Sequence, residues 1–505
     1  MDKQIDKNTI YIFVPMSYKD PGEMYTHLHN AVLRGWEDSD ECPHWKALDR
    51  GDENSEIMKR YRHDRYLLRY IADRFHGRES VEGEHRYRFR GNHFLLNDDK
   101  EAVRRRFDLP PADQPCVLID SASSNPLSFF VKTVQLFTFD TGVFILAFRL
   151  VIDTDDPKAV GNAAFTLKKV SATQFYCGDK KNKHTLLEFA EGIGRNIYER
   201  AIETKPEHAG MRFRYFYFQK DGRARANVLT YLMMDSPGEK AFAENGKKIG
   251  LLQDDTCRRT LFFLRNCFSE QYTYYEDQEK GEEEEIYVHS DRALWGVTQE
   301  AAVCLVYPNY TKETDFYRGE FYHNLNSSYL LTYVLLLHQK YTLYLFLRNI
   351  GDFEHEENRD ELRNYRDRLY RFETGYVFSH ISEVPQYQGL YEKLFSNMKL
   401  EEMYQDVREP LAMLNKMEQE AEHEEREKQN ARLTDAMFVL SILVIFSALT
   451  DGFELVEKFF GFGELGIGHW IGRLLLVLIV AALIATGFRG TGFINWVKDK
   501  WKQKK

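Results

Sequence analysis

Two uncharged apolar segments near the end of the chain, 436–450 and 474–488, constrain its fold more than any other feature. With apolar flanking residues each approaches the roughly 20 residues that span a bilayer. The sequence therefore predicts a transmembrane hairpin over 433–488, attached to a large water-facing part. Because one hairpin cannot enclose a hole, a conducting hairpin requires several copies of the chain around one pore.

Charged residues around the hairpin predict its orientation. Arg426, Lys428 and Arg432 precede the first span, and a basic tail, 489–505, follows the second. The connecting loop, 451–470, carries four acidic residues and one lysine. Since Lys and Arg concentrate on the cytoplasmic side of membranes, we expect a multi-pass inner-membrane protein with both termini in the cytoplasm. The alternative is a hairpin that only anchors an enzyme.

Composition excludes several classes of function. The net charge of −10 argues against a general nucleic-acid-binding protein, and no direct nucleic-acid partner is expected. The six cysteines contain no Cys-x-x-Cys motif, which fits a reducing cytosol without structural zinc. Motifs of phosphate-binding loops, zinc peptidases and serine hydrolases are absent. We therefore predict no enzyme, no required cofactor and no metal site.

The water-facing part begins with an irregular alternation of strand and helix patterns over 1–323. This alternation predicts an α/β or α+β cytoplasmic domain that senses a ligand. Tight-turn chemistry at Asp140-Thr-Gly142 predicts a hairpin. The remaining predicted strands are 9–15, 116–120, 165–170, 211–218, 226–234 and 301–306, and the predicted helices are 58–75 and 186–204.

Helical patterns then replace strands, and 324–432 is predicted to be a bundle and a stalk. The apolar run 328–347 contains His338-Gln339-Lys340 at its centre, which favours a buried helix over a third span. A helix over 390–449 would be roughly 90 Å long and would connect the domain to the first span. Pro410 is expected to kink it. A heptad seam supports the stalk: Leu400, Met403, Val407, Leu414, Met417 and Ala421.

This order of parts resembles the CorA family of metal-ion channels, with a cytoplasmic domain, a long stalk helix, two spans and a basic tail. The resemblance implies a homopentamer. The family signature, Gly-Met-Asn at the outer end of the first span, forms the ion-selecting ring. The matching place here reads Leu-Thr-Asp-Gly-Phe over 449–453, so the sequence argues against Mg²⁺ transport.

Without that signature, the chain resembles the divergent CorA-like proteins that accompany type III CRISPR systems. The resemblance implies antiviral defence, with a soluble domain that senses a nucleotide second messenger of the S-adenosylmethionyl-AMP type. It also implies that the membrane part is the effector. Two alternatives remain, a transporter of divalent cations such as Mg²⁺ or Co²⁺ and a membrane-tethered enzyme that processes nucleotides.

Arg149 is the sharpest candidate for binding an anionic ligand. It interrupts an otherwise apolar strand pattern over 143–152, where an unpaired charge is unfavourable. The structural alternative is a pair with Asp140 or Asp153, or a position at a sheet edge facing water.

A second group of ligand candidates lies between 212 and 221. Arg212 and Arg214 alternate with aromatic residues, and Tyr215 is the candidate for stacking a base. Asp221 follows in a turn, where its carboxylate can accept from an amino group or a ribose hydroxyl. The structural alternative is a solvated sheet face, with an aspartate that only favours the turn.

Polar and small residues on one face of the first span are the candidate pore lining. Ser441, Ala448 and Asp451 share that face, with Val444 between them. A ring of Val444 would form an apolar constriction, and an Asp451 ring at the outer mouth would favour cations. The structural alternative for Ser441 is ordinary helix packing.

We expect the full-length chain in detergent to be an oligomer, with five copies if the resemblance holds. Light scattering coupled to gel filtration measures the mass of the protein component. A monomeric mass would contradict the pore hypothesis.

Overall fold

The structure of the protein is a computed structural model. The described residues are 5–18, 25, 27–28, 31–32, 44–48, 66–72, 74–75, 91–96, 101–119, 126–204, 213–215, 226–235, 243–244, 247–248, 251, 255–268, 283–308, 316–350, 359–460, 470, 474 and 478.

A mixed sheet of 13 strands is the centre of the fold, in the order β13-β14-β15-β10-β1-β6-β5-β4-β7-β8. Strands β2, β3 and β9 pair beside this path, whereas β11 and β12 form a separate hairpin. The strand bounds are β1 Ile5–Ser17, β2 Trp45–Ala47, β3 Gly91–Leu96, β4 Cys116–Leu118, β5 Ser128–Phe139, β6 Val143–Ile152, β7 Phe175–Cys177, β8 Lys183–His184, β9 Arg214–Tyr215, β10 Asn227–Met234, β11 Ala243–Glu244, β12 Lys247–Lys248, β13 Ile286–Ser290, β14 Ala293–Val297 and β15 Ala301–Val306.

Helices cover the sheet, and from Tyr317 to Phe460 all the described elements are helices. A π-helix, Tyr317–Phe321, directly precedes α6. The helix bounds are α1 Arg69–Ala72, α2 Glu101–Arg106, α3 Pro157–Leu167, α4 Leu186–Thr204, α5 Asp255–Asn266, α6 Tyr322–Leu325, α7 Ser328–Ile350, α8 Arg359–Tyr376, α9 Pro385–Asn397 and α10 Leu400–Phe460.

From residue 8 onward strand β1 is buried on both faces, which explains its continuous apolar sequence over 10–16. It pairs antiparallel with β6 and β10, and β10 pairs parallel with β15. Ile10 and Ile12 face a core that also contains residues of α3, α4 and α5. Tyr11 and Phe13 face the opposite side, where the Phe13 ring lies 5.3 Å from the ring of Tyr333 in α7. A mixed α/β domain is therefore confirmed.

The strand predicted over 165–170 is wrong, because its first residues belong to α3. Asp156 caps this helix by accepting from the Lys158 N–H at 3.0 Å, and Pro157 occupies the first turn. These start signals outweigh the short apolar run at the end of the helix. The hairpin around Asp140 is confirmed as β5 and β6, and the helix over 186–204 is confirmed as α4.

The apolar run 328–347 is a buried helix, α7, as its polar centre predicts. The Thr141 hydroxyl lies 2.7 Å from His338 Nε2. Gln339 donates to the Tyr376 carbonyl at 2.7 Å, and Lys340 donates to the Gln299 carbonyl at 2.7 Å. Each of these three side chains therefore makes one contact with another element, while His338 Nδ1 and Gln339 Oε1 are buried without a hydrogen-bond partner among the described residues.

The chain divides into two compact units, Met1–Glu409 and Pro410–Lys505. The division falls inside 324–432, which the sequence assigns to the bundle and the stalk. The predicted single helix over 390–449 is wrong at its start, because α9 and α10 are separate. Lys399 lies between them at φ 60°, a left-handed conformation that ends one helix before the next begins.

Helix α10 continues through Pro410 and beyond the predicted first span to Phe460. The stretch 451–460, predicted as a loop, is therefore helical. Within α10, Glu422–Gly452 is long and apolar enough to cross a membrane, and it is a candidate span by length and composition. The second predicted span lies almost wholly outside the described residues, which include only Leu474 and Leu478 within it.

A disulfide joins Cys116 and Cys177, which face each other in β4 and β7. The Cα atoms of the pair are 4.3 Å apart, because directly opposed residues of antiparallel strands approach this closely. The cysteine spacing did not indicate this bond. A disulfide is more typical of oxidising compartments, so cysteine usage does not support the expected cytosolic location.

We expect His338→Gln to weaken the acid sensitivity of the fold. Burial lowers the pKa of His338 well below 6.5, so the unfolded chain takes up a proton that the folded chain does not. Above pH 6.5 His338 is neutral in both the folded and the unfolded chain, and it does not oppose folding. As the pH falls from 6.5 toward the pKa of the folded state, protonation of the unfolded chain lowers the free energy of unfolding. The melting temperature of the wild type should therefore fall more steeply between neutral pH and about pH 5 than that of the variant.

His380→Gln is the control for that comparison, because His380 is exposed beside Glu383. An identical slope for His338→Gln and the wild type would show that the buried imidazole does not contribute to acid sensitivity.

Candidate functional site

Arg149 lies in the middle of the sheet, with its side chain half-buried on the face covered by α6 and α7. It pairs with Tyr11 of β1 on one side and with Thr133 of β5 on the other. Its Nη2 atom donates to the hydroxyl oxygen of Tyr322 at 3.2 Å. Arg149 is therefore not at a sheet edge, and its guanidinium faces the start of a helix.

Three irregularities of the backbone lie next to residues that pair with Arg149 or contact Tyr322, namely Thr133 opposite Arg149, Lys7 over the Tyr322 ring, and the segment before Tyr322 itself. The β5–β6 register shifts between Val131 and Thr133, and the β1–β10 register shifts between Ile5 and Lys7. The third irregularity is the π-helix Tyr317–Phe321, directly before Tyr322. Bulges and π-helices redirect side chains and are frequent at functional sites. Their positions next to these residues make this part of the sheet face the best candidate site among the described residues.

Cationic and hydroxyl side chains line this region, which we name the Arg149 patch. Contacts connect Lys7, Thr9, Arg149, Arg318 and Tyr322, and we add Lys132 and Thr133, which lie at the bulge of β5 opposite Arg149.

Two lysines of the patch lie over aromatic rings. Lys7 Nζ is 4.7 Å from the centroid of the Tyr322 ring, and Lys132 Nζ is 4.5 Å from that of Phe130. Such cation–π contacts keep the ammonium groups near the sheet face. Because one face of each ring already carries a lysine, the rings hold cations and offer less surface to a base.

Acidic residues offset part of the positive charge. Arg318 Nε lies 3.2 Å from Asp6 Oδ2, in a partly exposed ion pair. Asp153, directly after the end of β6, is exposed and accepts from the Ser128 hydroxyl at 3.3 Å. Among the described residues of this region, Lys7, Lys132, Arg149 and Arg318 outnumber the two aspartates, and this composition suits a small anion.

Two hydroxyl groups near Arg149 are buried without a hydrogen-bond partner among the described residues, Thr133 Oγ1 and the Tyr231 hydroxyl. Burial, and then the neighbouring Tyr11, raise the pKa of Tyr231 well above its usual value, whereas Arg149 acts in the opposite direction. Tyr231 therefore keeps its proton. Since buried polar groups are normally paired, Thr133 Oγ1 is an unused hydroxyl on the strand partner of Arg149.

Arg104 stabilises the bulge in β5 by hydrogen bonds to its backbone. Its guanidinium is buried and donates to the Val131 carbonyl at 3.1 Å and to the Lys132 carbonyl at 2.8 Å. It also donates to the Pro110 carbonyl. At the bulge, the fork of Arg104 donors satisfies the Val131 and Lys132 carbonyls. Arg104 thereby positions Lys132 and Thr133 opposite Arg149.

The structure does not bring the second group of ligand candidates to Arg149. Arg214 is exposed and pairs with Ser17, six residues along β1 from Tyr11, or about 20 Å at roughly 3.3 Å per residue. Strand β9 also contains Tyr215, which pairs with Met16. Arg212 and Asp221 lie outside the described residues. The aromatic residue before Arg214, Phe213, is buried in the core and cannot stack a ligand.

The four candidate pore residues, Ser441, Val444, Ala448 and Asp451, are all exposed on α10. Their spacing places them along one side of the helix. The Ser441 hydroxyl donates to the Met437 carbonyl at 2.8 Å, so it is satisfied within its own helix.

No family model matches this chain. The search of curated proteins and the search of solved structures gave no match either. Among the residues that the structure describes, no group of three or more His, Cys, Asp or Glu side chains is arranged to hold a metal ion.

Sequence reasoning found Arg149 but missed the residues around it. The adjacent polar pair Lys132-Thr133 breaks the pattern of an otherwise apolar strand, and this break is the signal of a bulge. Tyr322 and Arg318 gave no comparable signal, because they reach the patch through a π-helix and a chain separation of more than 150 residues.

We expect Arg104→Met to lower the free energy of unfolding by about 2–4 kcal/mol, because the carbonyls at the bulge lose buried charged donors. Arg105→Met is the matched control, since Arg105 is exposed and pairs only within its helix with Glu101 among the contacts described. Its change should stay below about 0.5 kcal/mol. Chemical denaturation followed by circular dichroism measures both, and equal losses would contradict the role of Arg104.

Proposed function

We propose that this chain forms an oligomeric, CorA-like membrane channel gated by a nucleotide second messenger. In the type III CRISPR setting that the sequence resemblance implies, the messenger is of the S-adenosylmethionyl-AMP type. The observation that carries the proposal is the Arg149 patch, a half-buried cationic site joined by packed helices to the base of α10.

The patch suits the phosphate of a nucleotide better than a metal ion. Arg149 offers a planar fork of donors, and Lys7 adds a point charge over the ring of Tyr322, whose hydroxyl accepts from Arg149. Thr133 Oγ1, on the strand partner of Arg149, is a further donor. A divalent cation would instead need several oxygen ligands of negative charge.

A continuous series of contacts connects the patch to α7 and α8. Tyr322 begins α6, and Asn326 donates to its carbonyl at 2.7 Å directly before α7. Farther along α7, Gln339 donates to the Tyr376 carbonyl, and the ring of His338 lies 4.4 Å from the Tyr376 ring. A displacement at Tyr322 would therefore reach the end of α8 through packed side chains.

Helix α8 contacts the first turns of α10. Arg408 Nε lies 2.8 Å from Glu373 Oε1, and the ring of Tyr404 stacks on Phe372 at 6.1 Å. Since α10 is one helix from Leu400 to Phe460, a rotation or shift of its base would be carried toward the candidate span. The ligand must bind the open arrangement more tightly than the closed one for this series to act as a gate.

We expect S-adenosylmethionyl-AMP or a cyclic oligoadenylate to bind the purified full-length oligomer and to be recovered unchanged. Arg149→Gln should weaken the binding of that nucleotide roughly tenfold or more, because a charged donor to the phosphate is lost. Arg214→Gln, in β9 beside the far end of β1, should change affinity less than threefold or so. Isothermal titration measures affinity, and mass spectrometry of the recovered nucleotide measures turnover.

The same preparation separates the alternatives. Conversion of the nucleotide would favour the membrane-tethered enzyme. Flux of Mg²⁺ or Co²⁺ in liposomes without any nucleotide would favour the divalent-cation transporter. Equal losses in Arg149→Gln and Arg214→Gln would move the ligand site away from the Arg149 patch.

A further inference from the structure

Tyr322 accepts a hydrogen bond at the place where a ligand anion would bind. Arg149 Nη2 donates to its hydroxyl oxygen at 3.2 Å, and Thr9 Oγ1 lies 3.1 Å from the same oxygen. Lys7 Nζ lies over the ring at 4.7 Å. Tyr322 therefore occupies donors of the patch with a neutral hydroxyl.

This arrangement differs from that of the fully buried tyrosines on the same sheet face. Tyr11 donates to Asn326 Oδ1 at 2.8 Å, and Tyr333 donates to the Val228 carbonyl at 3.3 Å. Both are donors to neutral acceptors deep in the core, which is ordinary packing. Tyr322 is half-buried, and its oxygen is the acceptor for a cation. An anion from solution can compete for that position.

The backbone next to Tyr322 forms a π-helix, which can convert to an α-helix. The π-helix Tyr317–Phe321 ends at the residue before Tyr322, and α6 follows without a gap. A π-turn contains one residue more than an α-turn, so its conversion shifts the following residues by one position, about 100° around the axis. Release of Tyr322 would leave the segment 317–325 free to make this change.

We propose that Tyr322 is an internal competitor of the ligand, which holds the site closed until an anion displaces its hydroxyl from Arg149. This proposal rests on the proposed function and adds the regulation of the same site. A phosphate adds charge attraction to its hydrogen bonds with the guanidinium and can accept from two donors of the fork, whereas the neutral hydroxyl of Tyr322 accepts a single bond, so an anion can replace it. Part of the binding energy is used for displacement, which lowers the apparent affinity of the wild type.

The test uses the full-length oligomer and inorganic pyrophosphate, which carries the anionic groups without a base. We expect Tyr322→Phe, which keeps the ring under Lys7 but removes the competing oxygen, to bind pyrophosphate roughly three- to tenfold more tightly than the wild type. Hydrogen exchange of the peptide over 317–325 should also rise in the ligand-free variant. Isothermal titration and exchange mass spectrometry give the two results.

Tyr317→Phe is the matched control. Tyr317 is in the same helical segment and is also half-buried, but its hydroxyl contacts Ser290 Oγ at 3.0 Å. We expect it to leave pyrophosphate affinity at the wild-type value.

The outcomes separate the competitor from the site. If Arg149→Gln abolishes binding but Tyr322→Phe binds no more tightly than the wild type, the competitor role is overturned and the anion site stands. Weaker binding by Tyr322→Phe would make Tyr322 a direct ligand contact and would equally overturn the proposal. Failure of both the wild type and Tyr322→Phe to bind pyrophosphate would overturn the anion site and the competitor together.

Discussion

Burial of β1 on both faces is the constraint on which the rest of the domain depends. A strand covered on both sides can carry polar groups only where each one finds a partner. On one face the side chains are apolar: Ile10 and Ile12 pack into the core with residues of α3, α4 and α5. On the other face each polar group has a hydrogen-bond partner. The Thr9 hydroxyl pairs with the hydroxyl of Tyr322 at the start of α6, and Tyr11 donates to the side-chain amide oxygen of Asn326 just before α7.

That second face also explains how a charge is accommodated in the sheet. Arg149 neighbours Tyr11 in the register, and its guanidinium is tolerated because it reaches Tyr322 and the half-exposed end of the face. Arg104 shows the opposite solution, full burial with three backbone carbonyls as acceptors. Arg104 is therefore a buried structural residue, whereas the half-buried Arg149 is partly accessible to solvent.

Local sequence predicted much of the fold but little of the site. Apolar runs gave β1, β10 and β15, and turn chemistry gave the β5–β6 hairpin, because these signals depend on neighbouring residues. The cap Asp156 is the local signal for α3, and it competes with a short apolar run that predicts a strand. The left-handed conformation of Lys399 separates α9 from α10, and a lysine in the sequence does not indicate it. The partners of Arg149 come from distant strands and from a π-helix, so only the assembled sheet brings them together.

The disulfide between Cys116 and Cys177 has a topological consequence for the patch. It closes a covalent ring over a sequence separation of 61 residues, and β5 and β6 lie inside that ring. Lys132, Thr133 and Arg149 are therefore carried on a cyclic portion of the chain. A single backbone cut between the two cysteines would linearise this ring but release no fragment until the sulfur bridge is reduced.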